Sequence, residues 1–91
     1  MSSGMNDYVV VCTFAAGTTP QAIADLVAEE QVIAARLQAA GRLGAVRISM
    51  ARRTVFLDVA ATDEQAARRT VEELPMATLW DLEVFPVTAP G

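Results

Sequence analysis

Glu30 is the residue whose type and position are best suited to proton chemistry. Residues 20–40 are alanine-rich with helical periodicity, and at about 100° per residue Glu30 lies within about 20° of Ile23 on the helical wheel. It is close to the centre of an apolar stripe formed by Leu26, Val27, Ile33 and Leu37. A carboxylate there is costly unless paired, hydrated or protonated, and a raised pKa would suit proton transfer near neutral pH. The alternative is that Glu30 pairs with an arginine in or at the edge of the core.

Arg47 is the predicted partner in this chemistry. It interrupts an apolar strand, and a tight turn at residues 50–53 would place it opposite Phe56 and diagonal to Asp58 on one face of a hairpin. A guanidinium group can hold a substrate carboxylate or stabilise an enolate. We therefore predict Glu30 and Arg47 as catalytic residues. A cross-strand ion pair of Arg47 with Asp58 is the competing interpretation.

Four further residues are candidates for substrate binding. They are Tyr8, Cys12, Asp58 and Trp80, all on predicted strands. Strand aromatics such as Tyr8 and Trp80 commonly pack in a core, and a lone cysteine is more often a small buried hydrophobe than a nucleophile. Packing roles for these side chains therefore stay open beside the binding roles.

The composition excludes several functional classes. The 91 residues contain no histidine, no lysine and a single cysteine, Cys12. Zinc, haem and copper sites lack their usual ligands, and Schiff-base chemistry lacks its amine. The formal net charge of −4 disfavours binding to nucleic acid. We expect an enzyme or binding protein without metal or cofactor.

The hydropathy pattern indicates one cytoplasmic domain. No uncharged stretch is long enough for a membrane span, and no basic residues precede an apolar run as in a secretory signal. Residues 1–4 are interpreted as a cloning remnant or an alternative start, so the domain comprises residues 5–91. No association with a membrane is expected.

The predicted elements follow the order β-α-β-β-α-β. The strands are predicted at residues 8–14, 42–49, 54–59 and 80–87. One helix is predicted from Pro20 to Ala40, and a second is capped by Thr62 and ended by Leu74 and Pro75. The fold class is thus α+β and ferredoxin-like, with a four-stranded antiparallel sheet and two helices on one face.

The first strand is apolar on both of its faces. Val9 and Val11 alternate with Val10 and Cys12, whereas two helices can cover only one face of the sheet. A second sheet from another copy of the chain is the simplest cover for the other face. We therefore expect a homo-oligomer based on a dimer.

A series of short segments runs through the domain in a defined order. They are Ala28–Glu30, Ala34–Gln38 with Gly41, Val46–Ile48, Val55–Val59, Leu74–Pro75, and Asp81–Val84 with Pro86. Their order and spacing resemble the muconolactone Δ-isomerase family from Tyr8 to about Pro90. Glu30 and Arg47 fall on matching positions of that family.

The resemblance implies a dimeric α+β barrel, with assembly to a decamer known in the family. It also implies cofactor-free isomerisation of an unsaturated lactone carrying a carboxylate, in the catabolism of aromatic compounds. Residues 76–80 depart from the Leu-Phe-Pro-Tyr-like segment of typical members, the hairpin turn at residues 50–53 is shorter, and the histidine near the family's C-terminus is missing. The resemblance is therefore stronger for the scaffold than for the substrate, and a shared fold does not fix function.

Two other functions fit the same scaffold. One is a cofactor-free cyclase or monooxygenase acting on polyketide-type substrates. The other is a non-catalytic oligomer that binds a small molecule. A cavity with few ordered polar groups besides Glu30 would favour the non-catalytic protein.

Overall fold

The computed structural model describes residues 4–88, which form an α+β domain. The elements are β1 (Asn6–Phe14), α1 (Pro20–Ala24), α2 (Val27–Ala39), β2 (Leu43–Ser49), β3 (Thr54–Ala61), α3 (Glu64–Glu72), a 3₁₀ helix (Pro75–Leu79) and β4 (Trp80–Val87). The four strands form one antiparallel sheet in the order β2-β3-β1-β4. This architecture is compatible with a ferredoxin-like fold, and it confirms the four predicted strands and their order along the chain.

The helices cover one face of the sheet and create the core there. Side chains alternate between faces along a strand, so Val10 and Cys12 of β1 and Leu57 of β3 point to the same side. All three are at most 1% exposed, and they belong to one cluster with Leu37 of α2 and Val71 of α3. The apolar residues of the central strands therefore hold the helical layer in place.

The opposite face of the sheet has no helical cover. We call it the open face and define it by Val9 and Val11 of β1, Phe56 of β3, and Phe85 and Val87 of β4. The cross-strand partners Val11–Phe56 and Val9–Phe85 place these side chains together. Phe56 is 39% exposed and Phe85 is 45% exposed. Both faces of β1 are thus apolar, as predicted. The helices cover one of them, and the other has no helical cover.

The first predicted helix is interrupted. Instead of one helix from Pro20 to Ala40, α1 ends at Ala24 and α2 begins at Val27. At the break, the backbone N–H of Leu26 donates to the carbonyl of Ile23, a tighter turn than the α-helical spacing. A wheel with uniform rotation therefore fails across the break, although Glu30 still faces the sheet side of α2.

The second predicted helix begins one residue later than expected. Asp63, not Thr62, is the N-cap, and its carboxylate accepts a hydrogen bond from the backbone N–H of Ala66 at 2.7 Å. Beyond the helix, the 3₁₀ helix Pro75–Leu79 was not predicted. Because this segment leads directly into β4, it positions both Met76 and Trp80.

A bulge in β2 decides which way its side chains face. Leu43 pairs with Val59 and Val46 with Leu57, so β2 uses one residue more than β3 over this stretch. Gly44 lies in the bulge, where an added Cβ would approach the Cβ of Asp58 to 3.3 Å. Beyond the bulge, the apolar side chains of β2 return to the helix-covered face.

No helix within residues 4–88 combines the length and the apolar character needed to span a bilayer.

Truncation of Leu57 is expected to destabilise the domain strongly. Leu57 is 1% exposed at the centre of the sheet, so Leu57→Ala should lower the free energy of unfolding by about 2–5 kcal/mol. Ile48→Ala is the matched control on the neighbouring strand, because Ile48 is 63% exposed and its truncation should cost about 0.5 kcal/mol or less. Urea denaturation at one protein concentration measures both, and similar losses would contradict this account of the core.

Candidate functional site

A cavity of about 390 Å³ lies between the helices α1 and α2 and the helix-covered face of the sheet. Its walls are mainly aliphatic and aromatic. The lining residues whose side chains carry a polar atom are Glu30 and Gln31 of α2 and Trp80 of β4. Glu30 is the charged residue among those that line it. The cavity thus has the size and apolar character of a small-molecule site with few polar groups.

Glu30 is fixed in this cavity by a contact with the 3₁₀ helix. Its Oε1 accepts a hydrogen bond from the backbone N–H of Met76 at 2.9 Å, and its side chain is half-buried. Burial raises the pKa of Glu30 above its ordinary value, and the Met76 hydrogen bond offsets part of that rise. A positioned carboxyl with a raised pKa can act as both a base and an acid.

The raised pKa of Glu30 predicts a specific dependence of stability on pH. The folded state binds this proton more tightly than the unfolded state, so Glu30 contributes stability at low pH. That contribution is lost as the pH rises from the unfolded pKa through the folded one. Glu30→Gln removes this titration. The free energy of unfolding of the variant should therefore rise relative to that of the wild type as the pH increases through this window.

Urea titrations across the acidic and neutral range measure this difference, with the exposed neighbour Glu29 as control. The free energy of unfolding of Glu29→Gln should change with pH in parallel with that of the wild type through the same window. A Glu30→Gln curve that also runs parallel would contradict a raised pKa of Glu30.

Arg47 lies on the open face, away from Glu30. As predicted, it pairs across the hairpin with Phe56, which places both side chains on the face opposite Val46 and Ile48. Its side chain is exposed. A Glu30–Arg47 pair is therefore not formed within one chain, since the sheet separates the two side chains. The predicted catalytic role of Arg47 stays a prediction.

The alternative pairing of Arg47 with Asp58 is also not formed. Asp58 lies on the same face, as expected, but the ion pair found within residues 4–88 joins Arg42 and Glu73. That pair ties the start of β2 to the end of α3. Asp58 instead lines a separate shallow depression together with Tyr8.

Arg53 is the cationic residue that the sequence reasoning missed. It lines a groove of about 500 Å³ that adjoins the cavity and shares Phe14, Ile23, Val27, Ile48 and Met50 with it. Arg53 has a φ of 51°, a left-handed conformation uncommon for a side chain with a Cβ. One guanidinium nitrogen, Nη2, donates to the carbonyl of Thr18 at 2.8 Å. Two adjacent arginines in a turn, as at residues 52 and 53, are also typical of solvated side chains, so the sequence does not single out Arg53.

Cys12 and Tyr8 belong to the core beneath the site. Cys12 is fully buried, and its burial, reinforced by the charge of Glu30, raises its pKa to about 12. At neutral pH its thiol is therefore protonated and unsuited to nucleophilic attack. Tyr8 is 7% exposed. The substrate-binding roles predicted for both residues stay predictions.

Trp80 is brought to the same cavity as Glu30. Its ring packs edge-to-face on Phe14, with centroids 6.0 Å apart and an interplanar angle of 70°. Within residues 4–88, its indole Nε1 is the buried side-chain nitrogen or oxygen that has no hydrogen-bond partner. Of the residues predicted for the site, Glu30 and Trp80 are thus the two that line this cavity.

Metal-ligating clusters are not found in the described part of the chain: no three cysteine, aspartate or glutamate side chains are grouped to hold an ion. No protein-family model matches the sequence, and no characterised protein is significantly similar to it.

Proposed function

We propose that this protein is a cofactor-free isomerase that moves a proton between two carbons of a small unsaturated lactone or acid. The observation that supports this function is Glu30, a half-buried carboxyl held by the Met76 N–H inside an apolar cavity. Removal of a proton next to a carbonyl requires a positioned base. Glu30 meets this requirement, and the walls around it are mostly apolar.

The reaction would proceed in two proton transfers. The Glu30 carboxylate takes a proton from the carbon next to the carbonyl, and the C–H electron pair forms an enolate. The resulting carboxylic acid then returns the proton to the far carbon of the conjugated system, which shifts the double bond and restores the carbonyl. One carboxyl suffices, because the group that accepts the proton is the group that returns it, and burial raises its pKa and so favours the protonated intermediate.

Arg53 supports the acid branch of this proposal. It is the charged residue lining the groove next to the Glu30 cavity, and one end of its guanidinium is already oriented by Thr18. A guanidinium binds a carboxylate through two parallel hydrogen bonds. A substrate with a carboxylate arm would place that arm on Arg53 and its reacting carbons beside Glu30. This assigns to Arg53 the role that the sequence had suggested for Arg47.

The resemblance to muconolactone Δ-isomerases supports the same reaction class. It contributes the type of chemistry and the matching position of Glu30. The lining of the cavity differs, since Trp80 and Met76 lie in the segment that departs from the family pattern. A substrate different from that of the family is therefore part of the proposal.

Isomerisation of α-angelica lactone, a β,γ-unsaturated five-membered lactone, tests the function. In buffer containing EDTA, the protein should convert it to the conjugated α,β-unsaturated isomer, followed by ultraviolet absorbance and NMR. Binding in the cavity without conversion would contradict the isomerase proposal and support the non-catalytic binding protein.

We also propose that a second copy covers the open face. The five apolar residues that define it are partly exposed, and the charges beside them are of both signs. Arg47 lies on the edge strand β2, Asp58 on the neighbouring strand β3, and Glu83 on the other edge strand, β4. Two sheets packed face to face would bury the apolar side chains and let Arg47 of each copy meet the acidic residues of the other. The result is a dimeric α+β barrel with one Glu30 cavity on each outer side.

A further inference from the structure

The indole N–H of Trp80 is an unused hydrogen-bond donor in the interior. Trp80 is 8% exposed, and its Nε1 is closed to solvent and has no partner within residues 4–88. A buried donor without an acceptor is destabilising, and nearly all such groups in native proteins are satisfied. The indole N–H is therefore available to an acceptor that does not belong to the described part of the chain.

Trp80 and Glu30 are positioned by the same short segment. The 3₁₀ helix provides the Met76 N–H that holds Glu30, and it leads directly into Trp80 at the start of β4. Both side chains line the one cavity, whose other walls are mostly apolar. The edge-to-face contact with Phe14 restrains the indole ring. The cavity is thus lined by a fixed carboxyl and by an indole ring whose N–H has no partner in the described part of the chain.

We infer that the Trp80 indole N–H binds the carbonyl oxygen of the ligand and stabilises the negative charge that develops on it. This inference rests on the proposed isomerase function and names the group of the substrate that Trp80 recognises. The ligand class is a compact, largely apolar molecule with a neutral carbonyl, such as a lactone or cyclic enone. The donor acts on the carbonyl oxygen while Glu30 acts on the adjacent carbon.

The step is balanced with these two groups alone. As Glu30 removes the proton, the C–H electron pair forms the new C=C bond and the carbonyl π pair moves onto oxygen. The N–H hydrogen bond strengthens with this charge, and it weakens when Glu30 returns the proton to the far carbon. Trp80 gains and loses no proton, so it is an electrostatic catalytic residue.

Access to Nε1 requires a small movement of the lining. Two methionines, Met50 and Met76, line the cavity, and an unbranched thioether side chain adapts to a new shape more readily than a branched or aromatic one. We expect a carbonyl in the cavity to reach the nitrogen through side-chain movement of this kind.

The single tryptophan makes the hydrogen bond directly observable. In ¹H–¹⁵N NMR spectra, γ-valerolactone, a saturated lactone that cannot isomerise, should move the one indole resonance downfield. Methylcyclopentane has a five-membered ring and a methyl group but no oxygen to accept a hydrogen bond, and it should occupy the cavity without that shift. Ile and Val methyl signals report occupancy for both probes.

Equal indole shifts with both probes, or occupancy by the lactone without an indole shift, would overturn the inference. Failure of the lactone to enter would do the same. The proposed function is tested apart from this, because γ-valerolactone undergoes no reaction. A downfield shift without turnover of α-angelica lactone would leave the donor site standing and refute the isomerase.

An isosteric replacement isolates the donor in catalysis. Benzothienylalanine at position 80 keeps the bicyclic shape and replaces N–H by sulfur, and Trp80→Phe is a second variant that lacks the donor. Both should lower kcat for α-angelica lactone by roughly 10²–10³-fold. The benzothienyl protein should unfold at the same or a higher urea concentration, since it removes an unsatisfied buried donor. Unchanged kcat in a folded benzothienyl protein would overturn the catalytic role.

Discussion

Replacing Glu30 by glutamine is expected to lower turnover of α-angelica lactone by roughly 10²–10⁴-fold, the usual contribution of a positioned general base or acid. Glutamine has nearly the same volume, and its carbonyl oxygen can still accept the Met76 N–H hydrogen bond. The cavity and the fold should therefore persist while proton transfer is lost. The loss should appear in kcat, because binding of the neutral lactone does not depend on the carboxyl charge.

Glu29→Gln provides the control for this experiment. Glu29 precedes Glu30 on α2 and is exposed, so its neutralisation makes the same change in net charge without entering the cavity. It should retain the activity of the wild type. Full turnover by a folded Glu30→Gln protein would refute the mechanism. A Glu30→Gln protein that fails to fold would identify Glu30 as a structural residue.

Phe56→Asp is expected to dissociate the proposed dimer. Phe56 lies at the centre of the open face, and the two-fold symmetry of a dimer would place two new carboxylates in the interface. Each unpaired buried charge costs about 3–5 kcal/mol, so the dissociation constant should rise by at least ~10³-fold. Light scattering coupled to size exclusion, at several micromolar concentrations, would show a shift from dimer to monomer.

Val32→Asp is the matched control for the interface. Val32 is 52% exposed on α2, away from the open face, so the same chemical change there should leave the dimer intact. A monomeric wild-type protein would contradict the proposed cover of the open face. A dimeric Phe56→Asp protein would show that the two copies meet elsewhere.

The strands could be predicted from the sequence because their signals are local. The run of apolar, mostly β-branched residues from Val9 to Cys12 predicted β1. The turn at residues 50–53 predicted the register of the central hairpin. The hairpin register also placed Arg47 opposite Phe56, as the structure confirms. The break between α1 and α2 carries no proline or glycine, so no local signal marks it.

Which residues lie together at the candidate site depends on tertiary structure more than the positions of the strands do. The helical wheel placed Glu30 on the apolar side of its helix, and Glu30 does line the cavity between α2 and the sheet. Its catalytic role stays a prediction. The sequence did not show which arginine lies near the cavity. The three-dimensional path of the hairpin puts Arg47 on the open face and Arg53 in the groove that adjoins the cavity. The hydrogen bond from Met76 joins residues 46 positions apart and could not be predicted from sequence spacing.

The central claim is that the Glu30 carboxyl carries the proton, and comparing the pH dependence of kcat/KM with the titration of Glu30 tests it most directly. Carboxyl ¹³C NMR of glutamate-labelled protein, assigned with Glu30→Gln, gives the pKa; α-angelica lactone gives the rates from about pH 4 to about 8. We predict that kcat/KM rises with pH and levels off, with its midpoint at the raised pKa of Glu30. A pH-independent kcat/KM, or a midpoint that differs from the Glu30 titration, would contradict the account.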